Sequence, residues 1–272
     1  MKCINFDAHF ADWLADWSKS HMDEYPDFEA MEGDMPGVWN AFLNTPAQWL
    51  DGVTPGAYFT QFEDPKDLVD WLKEYTVRNT PVPEPLLEQI QFVGRPCEKR
   101  LVALLKDDDA PDEAKSLAVG LLRDMGSDLP KMLYISWQLD REQEDDLADH
   151  ALEALLDMGK KAVQSMVEAL PRCNDAGQEA LLDVLANYPG NEQVFRTALR
   201  LFEQNSDRRA LFAGYLAKLG DERALPALEK AAQVCGYIDY IEIRCAIEGI
   251  GGNCPERSFD GDAEYEMLKG LE

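Results

Sequence analysis

The side chains able to do chemistry are few and poorly spaced for cooperation. The three histidines, His9, His21 and His150, form neither H-x-x-x-H nor H-E-x-x-H. A zinc enzyme needs such spacing to bring two imidazoles onto one helix face, so metal catalysis has little to work with. Phosphate loops place glycines just ahead of a helix, where free N–H groups face the anion. Neither G-x-x-x-x-G-K-[ST] nor G-x-G-x-x-G occurs, and Gly249-Ile250-Gly251-Gly252 falls where a helix should end. The six cysteines, at 3, 97, 173, 235, 245 and 254, contain no C-x-x-C pair and are too scattered for a disulfide framework. Cys97, Cys173 and Cys235 fall at positions suited to a small apolar residue, so reduced, packed thiols are expected.

Carboxylates are abundant, and the densest cluster is Glu144, Asp145, Asp146, Asp149 and His150. Spacing of i, i+4 would set Asp146 beside His150. Acids in the first turn of a helix also complement its dipole, which accounts for the cluster without a ligand. Asp107-Asp108-Asp109 reads as a solvated turn. Asp260, Asp262 and Glu264 alternate as calcium ligands do, but lack the glycine and bidentate glutamate of an EF-hand loop. No catalytic residue, cofactor or metal site is assigned.

The elements that would carry a site are set by an internal repeat. Glycines at 94, 126, 159, 190, 220 and 251 recur at about 31 residues. Apolar residues keep step with them: Leu122, Leu121 and Ala118 precede Gly126, Leu155, Ala154 and Ala151 precede Gly159, and Ile247, Ala246 and Ile243 precede Gly251. This is the stripe of a helix with one buried side. Val163, Val167 and Leu170 after Gly159, and Val194, Ala198 and Leu201 after Gly190, form a second stripe. Each repeat is therefore a first helix, a tight glycine turn and a second helix. Asp112, Asp145, Asp175 and either Ser206 or Asp207 are the expected caps of first helices.

No single hairpin can bury both faces of its helices, so neighbours must stack. The segment Leu211-Phe-Ala-Gly-Tyr-Leu-Ala-Lys-Leu-Gly-Asp-Glu-Arg-Ala-Leu-Pro-Ala-Leu-Glu-Lys230 resembles the HEAT-repeat family in its short bacterial form. The resemblance covers roughly residues 84–252. It implies an all-α, right-handed α-α superhelix, a HEAT-like solenoid with a helical N-terminal cap. It specifies fold far better than function, because such arrays usually bind proteins and sometimes carry enzymes.

Residues 1–83 lie outside the period and hold Trp13, Trp17, Trp39, Trp49 and Trp71. Phe6, Phe10, Trp13 and Trp17 share one helix face, which reads as an aromatic cap on the repeats. Thr45-Pro46-Ala47-Gln48 has the form of a capping box, while Thr54-Pro55 and Asp64-Pro65 open further helices. The stretch from Thr45 to Ile90 looks like the leading region of uncharacterised bacterial HEAT-repeat proteins. Residues 253–272 form a tail with a closing helix from Ala263 to Leu271.

A net charge of −26 in 272 residues repels nucleic acid, and no run approaches the roughly 20 apolar residues of a membrane span. HEAT-like folds also support DNA base excision, but those enzymes are basic clamps, the opposite sign. The N-terminus lacks an apolar leader core and carries Asp7, Asp12 and Asp16, so a cytoplasmic protein is expected. First helices are strongly acidic and second helices near neutral. In HEAT-like arrays the second helices line the concave side, which points to Lys99, Arg100, Lys131, Arg196, Arg200 and Lys230 as partner contacts. The alternative reading of those cations is that they balance carboxylates on neighbouring repeats. The expectation is a non-catalytic scaffold for a protein or peptide of acidic character. The alternative is a lyase or hydrolase with a carboxylate-based site where cap meets repeats.

Overall fold

A computed structural model describes residues 2–21, 25, 27–254 and 256–269. Among these residues every regular element is helical, and helices pack against their neighbours along the chain. No helix among them is long and apolar enough to cross a membrane. The chain divides into two compact units, Met1–Pro130 and Lys131–Glu272.

The first unit opens with α1 (Phe6–His21), α2 (Phe28–Gly33) and α3 (Met35–Leu43), then short 3-10 turns, then α4 (Pro65–Val77), α5 (Glu84–Val93), α6 (Arg95–Leu105) and α7 (Asp112–Asp124). The aromatic face of α1 is its packing face. Phe6 stacks on Phe59 at 5.8 Å and meets the edge of Trp49 at 5.3 Å, while Phe10 meets Trp39 at 4.8 Å and Phe42 at 5.2 Å. Tyr75 of α4 ties down the leading strand of chain: its hydroxyl accepts from Ile4 N at 3.0 Å and donates to Ile4 O at 3.1 Å. Burial pushes that phenol up to about 12. Helix α4 packs on α5 and α6, so the region ahead of the glycine period supplies a helix to the same layer. Gln89, the polar exception in the stripe of α5, is buried because its Nε2 donates to Phe62 O at 2.9 Å.

The second unit contains α8 (Lys131–Trp137), α9 (Asp146–Met158), α10 (Lys160–Ala169), α11 (Asp175–Leu185), α12 (Glu192–Gln204), α13 (Arg209–Leu219), α14 (Leu225–Ala232), α15 (Tyr237–Ile250) and α16 (Ala263–Lys269). First helices touch across repeats, α9 with α11 and α13 with α15, and second helices do so at α8 and α10. Gly94, Gly126, Gly159, Gly190, Gly220 and Gly251 all take positive φ, from 58° to 97°. That backbone is costly for any residue with a Cβ, which is why glycine marks the period.

Several local expectations need correction. Asp145 does cap α9, accepting from Ala148 N at 2.9 Å, but α7 is entered through Pro111, α11 is capped by Asn174, and Ser206–Arg208 is a 3-10 turn. Asp112 and Asp175 instead lie in the first turn, where their charge still suits the helix dipole. Thr45 caps nothing: its Oγ1 donates back to Ala41 O at 2.7 Å, and the chain forms a 3-10 turn over Gln48–Leu50 that closes through Asp51 at φ 54°. Asp262 is the cap of α16, accepting from Glu264 N and Tyr265 N at 3.1 Å. The tail beyond Lys269 lies outside the described residues. Cys97, Cys173 and Cys235 are buried free thiols, and burial pushes Cys97 and Cys173 up to about 11.

Candidate functional site

Two charged faces of the second unit differ in what holds their cations. The face of α9, α11 and α13 contains a cleft of about 390 Å³ lined by Arg141, Asp149, Glu179, Asp183, Arg208 and Tyr215 among others. Its cations are already engaged. Arg141, in the loop between α8 and α9, is buried; its Nη1 donates to Gln138 Oε1 at 2.9 Å and its Nη2 to Asp149. Asp149 is thus the member of the acidic cluster that takes a cation, while Asp145 serves as the cap of α9; Asp146 and His150 do not pair with each other. Arg208 is bound to Glu179, and Lys218 lies 3.8 Å from Asp183.

Burial raises the Glu179 carboxyl above the usual range, against the opposing pull of Arg208 and Arg141. The Tyr215 phenol is pushed up by burial and by Asp183 and Glu179. A raised carboxyl beside a phenol in a cleft is the raw material of acid–base chemistry. Here the carboxylate oxygen is already taken by a guanidinium, which suits a structural ion pair. Glu179 also lies on α11, well beyond the junction of cap and repeats in sequence.

The loop carrying Arg141 is pinned by the start of α11. Asn174 N donates to Leu139 O and its Nδ2 to Arg141 O, both at 2.8 Å, while its Oδ1 caps Gly177 N at 2.8 Å. Gly177 lets the loop come close: a Cβ there would stand 1.9 Å from Gln138 O.

The second-helix face is different. On α12, Arg196 and Arg200 are one turn apart and border an open depression with Glu192, Gln193 and Thr197. Arg196 touches Glu192 within its own helix and stays 76% exposed. Glu192 is shared with Arg223, and the two guanidiniums, Arg223 first, hold its carboxyl below the usual range. Arg200 donates to Gln204 and Gln178 and lies 3.6 Å from Asp175. Glu203 continues the row of Arg196 and Arg200 to the edge of a second pocket, about 230 Å³, where Lys230 and Arg209 meet Phe202, Ala231 and Val234. Helices α10 and α12 are joined on this side by Gln193 Nε2, which donates to Val167 O at 3.3 Å.

Of the six residues singled out from sequence, Arg196, Arg200 and Lys230 are therefore brought onto neighbouring parts of α12 and α14. Lys131, on α8, donates to Lys161 O at 3.2 Å. Lys99 and Arg100 lie on α6 in the first unit, exposed and without an ion pair among the described residues. Arg209 was missed, since Arg208-Arg209 reads in sequence as an ordinary surface pair. No family model matches the chain, and neither a curated protein nor a solved structure resembles it at a significant level.

Proposed function

We propose that the chain is a non-catalytic scaffold of HEAT-like helix pairs, wound as a right-handed superhelix, that holds an acidic protein or peptide segment along its second helices. The observation carrying this reading is the contrast between the two faces. Cations on the α9–α11–α13 face are paired with carboxylates brought from other elements, whereas Arg196 on α12 touches only a carboxylate of its own helix and stays 76% exposed, and Lys230 on α14 is exposed without an ion pair among the described residues. In a chain of net charge −26, an accessible row of cations is the place where a negative segment meets least repulsion. The exposed contact of Arg196 with Glu192 is screened by solvent and weak, so a partner carboxylate can displace it. A reducing, cytoplasmic setting suits six free thiols.

The test uses a labelled peptide alternating glutamate and leucine. Reversing both charges, Arg196→Glu with Arg200→Glu, is expected to weaken its binding about tenfold to a hundredfold, with little change in melting temperature. Lys19→Glu with Lys66→Glu applies the same change of net charge in the first unit and is expected to cost less than about threefold. Equal weakening by both pairs would make the effect one of overall charge and defeat the proposal.

A further inference from the structure

We infer that the pocket between α12, α13 and α14 is a receptor for a single carboxylate carried on an apolar group. Arg209 and Lys230 both line it, and neither makes an ion pair or hydrogen bond among the described residues. Two cations free of a carboxylate thus share one pocket in a chain with twice as many acids as bases. Arg209 is the stronger observation. Its Nε is enclosed by protein atoms, so the Nη end of the guanidinium is the part left to a ligand in the pocket. The guanidinium lies over the Phe202 ring, 5.9 Å from its centroid, within cation–π range.

The two Nη groups at the end of a guanidinium can take a carboxylate through two parallel hydrogen bonds. Lys230 adds a point charge at the same opening. Phe202, Ala231 and the 77% exposed Val234 supply an apolar wall for the rest of the ligand. Glu203 also borders the pocket and pairs with neither cation, so it guards the rim against a doubly charged anion. Arg209 opens α13, whose first turn contains no acidic residue; a bound anion would also relieve the unfavourable meeting of a cation with the positive helix end. A volume of about 230 Å³ suits one acidic side chain. The identity of its owner, a glutamate of the bound segment, rests on the scaffold reading above.

The test follows the Arg209 Nε–Hε resonance by NMR while pentanoate is added. A saturable shift is expected, lost in Arg209→Gln and weakened about tenfold in Lys230→Gln, whose exposed side chain leaves the fold unaffected. The glutamate–leucine peptide is expected to displace pentanoate. No saturable shift, or tighter binding of inorganic phosphate than of pentanoate, overturns the carboxylate assignment even if the α12 charge reversals still weaken the peptide. Simultaneous binding of pentanoate and peptide overturns the assignment to a peptide glutamate and makes the pocket one for a free organic acid. Loss of peptide binding in Arg209→Gln with intact Arg196, Arg200 and Lys230 supports it.

Discussion

Replacing Gly177 with alanine is expected to lower the thermal midpoint by about 10 °C, equivalent to about 3 kcal/mol or more. The added methyl would stand 1.9 Å from Gln138 O and 3.1 Å from Cys173 Cβ, and the nearer atom belongs to backbone rather than to a flexible side chain. Either α11 or the loop must move, and movement breaks the bonds from Asn174 to Leu139 O and Arg141 O. Gly214→Ala is the matched control. It lies inside α13 with nothing within 4 Å of the new methyl, so alanine is expected to add about 0.5–1 kcal/mol through helix propensity. Two glycine-to-alanine changes within helices of one unit thus carry opposite signs. Urea or thermal denaturation of both variants checks them, and a Gly177→Ala protein as stable as the parent contradicts the close approach.

Arg141→Met is expected to cost about 3 kcal/mol, measured by the same denaturation. The guanidinium is buried, and its loss strands Gln138 Oε1, which sits in a fully buried side chain, without its donor. Asp149 is 54% exposed and can recover water, which keeps the loss below that of a wholly buried pair. Asp149→Asn is expected to cost only about 1 kcal/mol, because the amide oxygen can still accept from Nη2. Lysine at position 141 should not rescue, since one ammonium cannot reproduce a fork that serves two acceptors at once.

The helices were legible because their signals are local. Positive φ past a helix end favours glycine, although Asp51 and Asn79 also adopt it here, so Gly94 through Gly251 announce the turns, and the apolar stripe behind each one announces the buried side. Caps were read less accurately because Asp112 and Asp175 are favourable both as caps and one place inside the helix. Thr45-Pro46-Ala47-Gln48 satisfies a capping pattern, yet Thr45 finds a nearer acceptor in Ala41 O and the segment turns instead. Arg141 could not be found from periodicity, since a loop has none, and its burial depends on Gln138 and Asp149 arriving from two sides. Gly177 did leave a trace. A glycine inside a helical stripe weakens the helix unless another backbone needs the space, as Gln138 does here. Arg196, Arg200 and Lys230 were visible as cations on second helices, but the pocket that joins Lys230 to Arg209 depends on Phe202 and α14 packing beside α13, which no local pattern encodes.

The location of the partner surface is tested most directly by hydrogen exchange of the full chain with and without the glutamate–leucine peptide. The account places slowed exchange on the backbone amides of α12 and α14, around Arg196, Arg200 and Lys230, with α9, α11 and their cleft unchanged. Protection confined to the Glu179–Arg208 cleft, or to the aromatic face of α1, would contradict it.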